Sequence, residues 1–202
     1  MKSKEDGPHL HLTLEPALLP SFFPLLQGGV SLDTRTGLSV KEFLTEELRL
    51  SQEYMDTVIQ TVFLDGKAVD DLASANIRDG AIMALSAAMP GLLGATLRRG
   101  SYYAAMRKEI SYRESPKAAG EGPAKLTLKV FNLLLRDLGP ALLAKGFWIG
   151  GDVLEDFFGK RNERFWAGFV EAWRDGDQID SAALRTGSWG KKDVFLRVTA
   201  RE

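Results

Sequence analysis

The chain has 202 residues, with 26 Lys and Arg against 27 Asp and Glu and 45% hydrophobic residues. That composition excludes a disordered, collagenous or coiled-coil chain, and no apolar run reaches the roughly 18 residues of a membrane span. With no cysteine there is no disulfide framework, thiolate nucleophile or Cys-ligated zinc or iron–sulfur site. Residues 1–6 are charged and precede no apolar stretch with a cleavage site, so the expectation is a soluble, cytoplasmic protein without a signal peptide.

In chain order, His9-Leu10-His11-Leu12-Thr13-Leu14-Glu15 alternates at period two and predicts a half-buried strand. Residues 16–29 hold Pro16, Pro20 and Pro24, which argue against a regular helix or central strand there. A short strand follows over 30–34. Ser39 and Glu42 have the spacing of a capping box, and Val40, Phe43, Leu44 and Leu48 predict an amphipathic helix over 40–50. Residues 57–64 are β-branched and aromatic, hence a strand, and Asp65-Gly66 turns the chain into a short return strand. Asp79-Gly80 is a second turn ahead of a strand over 81–85.

Residues 86–95 are small and apolar, broken at Pro90-Gly91. A short helix is expected over 102–112, with Tyr103, Met106 and Ile110 along one side, and residues 115–123 read as a linker. Beyond it, 125–130 alternates as a strand, Pro140 suits a helix first turn and Gly146 its stop. Asp152 is placed as the cap of a helix over 153–158, and Phe165, Trp166, Phe169, Val170 and Trp173 predict a longer helix over 162–174. Residues 183–189 are expected to pair with 194–199 in a closing hairpin. No internal repeat stands out. The resulting organisation is α+β, with domains at 1–95 and 123–202 joined by a connector at 96–122.

Charge is segregated along this order. Residues 1–97 hold seven basic and thirteen acidic side chains, whereas 98–117 hold six basic and two acidic. Such asymmetry marks a junction or a patch that meets an anionic partner. The connector interleaves Arg98, Arg99 and Arg107 with Tyr102 and Tyr103, but a pI near 6.2 argues against a nucleic-acid binder.

The segments Val62-Phe63-Leu64-Asp65-Gly66-Lys67-Ala68-Val69 and Ile77-Arg78-Asp79-Gly80-Ala81-Ile82-Met83-Ala84-Leu85 resemble the β-grasp, or ubiquitin-like, fold. More narrowly they are similar to the sulfur-carrier proteins of thiamine and molybdopterin synthesis. The resemblance runs over residues 9–91 and implies a β-grasp domain in which His9–Glu15 and 30–34 are the first two strands. Those carriers end in a reactive diglycine, and here no diglycine stands at the corresponding place: Ala88-Met89-Pro90-Gly91-Leu92-Leu93-Gly94 continues into another hundred residues. Carrier chemistry would require proteolytic release after Gly91, Gly94 or Gly100.

Residues for chemistry are few. His9 and His11 share one face of their strand and could meet Glu15, yet no zinc motif accompanies them, so no metal is expected. Counted as a calcium loop from Asp175, the sequence places Ile179, Asp180 and Thr186 where an oxygen ligand, a glycine and a bidentate glutamate are needed. Gly91 and Gly94, followed by Arg98 and Arg99, could expose amides and guanidinium groups to an anion without matching a phosphate-loop motif. Tyr102, Tyr103, Arg107, Trp166 and Trp173 are the candidates for contact with a partner. The leading expectation is a non-catalytic interaction or adaptor module that binds another protein, needs no cofactor and avoids membranes. A homo-oligomer, an enzyme or cofactor-dependent subunit with an anion site near 91–99, and a processed carrier are the alternatives.

Overall fold

The computed structural model describes residues 7–113 and 122–201. Its strands are β1 (His9–Leu14), β2 (Val30–Arg35), β3 (Thr61–Leu64), β4 (Lys67–Ala68), β5 (Ile82–Ser86), β6 (Pro123–Phe131), β7 (Phe147–Gly150), β8 (Phe169–Arg174), β9 (Asp177–Ile179) and β10 (Asp193–Ala200). Its α-helices are α1 (Phe23–Gly28), α2 (Val40–Glu42), α3 (Gln52–Thr57), α4 (Gly91–Leu97), α5 (Leu134–Lys145), α6 (Gly151–Gly159), α7 (Glu163–Ala167) and α8 (Ser181–Thr186). The class is α+β, as expected. Among the described residues no helix is long and apolar enough to cross a membrane.

The chain forms two compact units, nested rather than consecutive. One is Leu25–Asp137; the other joins Met1–Pro24 to Leu138–Glu202. The division expected at 96–122 falls elsewhere because strand pairing is non-local. β6, beyond the expected linker, hydrogen-bonds to both β5 and β2, while β1 pairs with both β10 and β8. The linker reading itself concerns 115–123, of which 115–121 lie outside the described residues.

In the Leu25–Asp137 unit the strands run in the order β4-β3-β5-β6-β2. Only β5 and β6 are parallel; the other pairs are antiparallel. Period-two alternation buries Ala124, Leu126, Leu128 and Val130 on one side of β6, together with Met83 and Leu85 of β5. Ser39 caps α2 with the expected box: its Oγ accepts from the Glu42 amide at 3.2 Å, and the Glu42 carboxylate accepts from the Ser39 amide at 2.8 Å. The helix then widens to a π turn at Phe43–Glu47, burying Phe43 and Leu44, and stops before 50. The β-branched stretch from 57 is strand only from Thr61. Ser51 caps a helix that reaches Thr57, and its hydrogen bonds claim the preceding residues.

The second unit has the order β7-β10-β1-β8-β9, again with one parallel pair, β10 with β1. Read as β2-β6-β5-β3-β4 and β7-β10-β1-β8-β9, the five strands of each unit share one sequence of strand senses: antiparallel, parallel, antiparallel, antiparallel. In both, a strand leads through helices to a hairpin turned by Asp-Gly. Asp65 and Gly66 have φ of 50° and 75°, and Asp175 and Gly176 have 54° and 99°, the doubly left-handed backbone of a type I′ turn. This repeat is one of topology, which the sequence alone does not display.

Several expectations change here. Residues 16–28 are helical after all, as a 3₁₀ helix at Pro16–Phe22 followed by α1, because Pro16 and Pro24 sit in first turns where an amide donor is dispensable. Helix α5 starts at Leu134 and carries Pro140 inside it; Gly146, at φ 86°, follows its end. Gly150, not Asp152, is the N-cap of α6. The helix expected over 162–174 is short α7, capped by Asn162, followed by strand β8, whose alternation with β1 outcompetes the helical spacing of its aromatics. Residues 181–186 are helix α8, so the closing hairpin does not form; β10 instead pairs with β7 and β1.

Candidate functional site

Between β5 and β6 the chain leaves the sheet of the Leu25–Asp137 unit for an excursion over residues 87–112. Pro90 starts α4 rather than breaking structure, since it occupies the N-cap, where no amide hydrogen bond is lost. Gly91 has φ 77°, and Gly94 is buried so tightly that a Cβ there would overlap the Met89 carbonyl oxygen. Both glycines therefore have a local backbone task. A 3₁₀ segment at Tyr102–Ile110, capped by Ser101 and kinked at Arg107, replaces the expected regular helix.

Three arginines of this excursion are hydrogen-bonded to their own unit. Arg98 Nε donates to Gln60 Oε1, and Arg99 donates from Nη2 to the Met55 carbonyl and from Nε to that of Ile59 at 3.2 Å. Arg99 thus satisfies one carbonyl in the last turn of α3 and one just beyond it. Burial pulls the Arg99 pKa down from its usual value, while Asp56 and Asp70 oppose that pull. Arg107 is only 3% exposed. Its Nε donates to the Thr96 carbonyl at 2.8 Å, Nη1 to Ser111 Oγ at 3.1 Å, and Nη2 to Asp70 Oδ1 at 2.5 Å. Asp70 Oδ1 also accepts from the Gly100 amide at 3.1 Å, and the Tyr112 amide closes the excursion on the Ala68 carbonyl at 2.8 Å. Arg107, a candidate for partner contact in the sequence, is instead an internal clamp.

Six large apolar side chains of the excursion are exposed. Tyr102 is 93% exposed, Met106 73% and Leu93 71%, with Leu92, Tyr103 and Ile110 also exposed. The tyrosine rings meet edge to face at 5.5 Å. Gly91, Gly94, Arg98 and Arg99, the expected anion ligands, come together with Tyr102 and Tyr103 around one cavity of about 620 Å³, which Asp56 also lines. Leu92 and Leu93 are the residues the sequence reading passed over. Their signal was a Leu-Leu pair in a segment too short and too broken by Pro90 and Gly91 to bury it.

The remaining candidates lie in the other unit and do not converge with these. Trp166 is buried among Phe158, Phe165 and Phe169. Trp173 is 38% exposed on β8, directly across from His11. Burial and Arg197 hold the His11 imidazole below its usual pKa, against a smaller opposite effect of Glu171. Among the described residues, no group of three His, Asp or Glu side chains is placed to hold a metal. No protein-family model, curated protein or solved structure matches the chain.

Proposed function

We propose that the chain is a non-catalytic protein-interaction module of the cytoplasm, which docks another protein on the 87–112 excursion. One observation carries this reading: the excursion is inside out, its arginines tied to its own unit while six large apolar side chains face solvent. Large apolar side chains exposed together on one segment cost solubility and favour an interaction surface. The Leu25–Asp137 unit that carries it is, in this reading, a β-grasp. Its strand order, its single central parallel pair and the helices between β2 and β3 support that, with one change from the sequence expectation. The strand beside β2 is β6, reached last in the chain, and not His9–Leu14. The strand senses of the other unit support a second, similar arrangement.

Two alternatives have less support. An anionic ligand at the 620 Å³ cavity would draw on Arg98, which is exposed, but Asp56 shares the lining and two Arg99 nitrogens, Nε and Nη2, already donate to carbonyls. A carrier released after Gly91 would lose β6, the strand that bonds to both β5 and β2, and with it the middle of its own sheet.

The test is a triple variant, Leu92→Ser, Leu93→Ser and Met106→Ser, isolated from host cells beside the wild type. A protein that accompanies the wild type at fixed stoichiometry and is lost from the variant, at unchanged melting temperature, is the expected result. Retention of that partner by the variant, or a wild type that is always alone and monomeric, contradicts the proposal.

A further inference from the structure

The unit formed by the two chain ends carries a second surface that the docking excursion does not explain. Strand register places two short rows side by side on the face of the sheet opposite buried Leu10, Leu12, Leu196 and Val198. One row is Trp148, Phe195 and His9; the other is Arg197, His11 and Trp173. In the first row the rings contact one another, His9 with Phe195 at 5.0 Å, His9 with Trp148 at 5.6 Å and Trp148 with Phe195 at 5.3 Å. In the second row His11 Nε2 lies 3.1 Å from Thr199 Oγ1, which fixes the imidazole between its neighbours. A concavity of about 550 Å³ opens over these strands, within the size range of small-molecule sites.

The chemistry of that concavity is specific. Half of the eight lining residues carry aromatic rings, namely Trp173, Phe195 and the imidazoles of His9 and His11, and Arg197 is the one Arg or Lys among them. Among the described residues the Arg197 guanidinium makes no hydrogen bond or ion pair. The nearest carboxylate of the lining, Asp175, is committed through Oδ1 to the His9 amide at 3.0 Å. A free planar fork beside the partly exposed rings of Trp173 and Phe195 suits a flat ring that stacks and a carboxylate that accepts two parallel hydrogen bonds. A single cation is too little for a nucleic-acid backbone, which needs a basic track.

We propose that this platform binds a planar aromatic carboxylate, the ring resting against Trp173 and Phe195 and the carboxylate on Arg197. Titration calorimetry of the full chain tests it, with 2-naphthoate as probe and uncharged 2-naphthylmethanol and adenosine monophosphate as comparisons. The wild type is expected to bind 2-naphthoate and to prefer it over the alcohol. Arg197→Gln is expected to weaken 2-naphthoate roughly tenfold and to abolish that preference, because a charge-assisted hydrogen bond is lost. Trp173→Leu is expected to weaken both naphthalene probes alike. No binding of 2-naphthoate by the wild type up to millimolar concentration overturns the proposal. So does equal binding of acid and alcohol by the wild type, and so does binding of the nucleotide alone. The acid–alcohol comparison is made on the wild type, so it stands even where a variant folds poorly, and it is independent of the excursion.

Discussion

Asp70 shows how much of the excursion rests on one carboxylate. It accepts from Arg107 and from the Gly100 amide, and the Arg107 side chain is almost completely out of water. Removing one partner of a buried ion pair strands the other, but Asp70 is partly solvated and Arg107 keeps a carbonyl and a hydroxyl. Asp70→Ala is therefore expected to cost about 2–3 kcal/mol in urea unfolding. The double variant with Arg107→Met should cost less than the sum of the singles; additivity would show that the pair is not coupled. Gly94→Ala, whose Cβ would overlap the Met89 carbonyl, is expected to cost about 2 kcal/mol by the same measurement. Glu155 supplies a pH-dependent case in the other unit. It accepts from the amides of Trp189 and Gly190 at 2.6 and 3.0 Å and from Ser188 Oγ at 3.0 Å, and these bonds hold its pKa below the ordinary 4.5. A lowered carboxylate pKa gives stability that is complete above 4.5 and disappears as pH falls through the folded-state value. The stability difference between wild type and Glu155→Gln should thus be present at neutral pH and fade in acid. A difference that is constant across that range would contradict the assignment.

At the scale of elements, local chemistry was legible and partner choice was not. The Ser39–Glu42 box and the Asp65-Gly66 turn could be read directly, because each is settled by side chains within three or four residues. The helix expected over 162–174 failed for the opposite reason. Phe165, Trp166, Phe169 and Trp173 fit a helical stripe, but Gly168 follows α7 and β1, some 160 residues earlier in the chain, supplies the ladder that makes 169–174 a strand. The prolines near the N-terminus misled because their places within helical turns decide their cost, and those places depend on where the turns begin. The candidate site was half legible: Arg98, Arg99 and the tyrosines do gather, yet the direction of the guanidinium groups depends on Met55, Ile59 and Asp70, far away in sequence. The two Asp-Gly hairpins offer an internal comparison. Gly66 and Gly176 have open space at the Cβ position, so alanine there brings strain without a clash. Each substitution is expected to cost about 1 kcal/mol. A much larger loss at one of them would mean that the turns are not equivalent.

At the scale of the molecule, the nested connectivity makes an asymmetric prediction. Residues 25–137 contain β2 to β6 with all the pairings among them, whereas 138–202 lack β1, the strand that joins β10 to β8. Expressed alone, 25–137 should give a cooperative melting transition, and 138–202 should give one only after a segment carrying residues 7–24 is supplied. A cooperatively folded 138–202 fragment would refute the role assigned to β1.

The central claim, that the inside-out excursion is where a partner docks, is tested most directly by amide hydrogen exchange on the chain alone and in the complex recovered from host cells. Protection that appears over residues 91–110 on complex formation is the predicted result. Protection confined to other segments, with 91–110 exchanging as in the free chain, would contradict it.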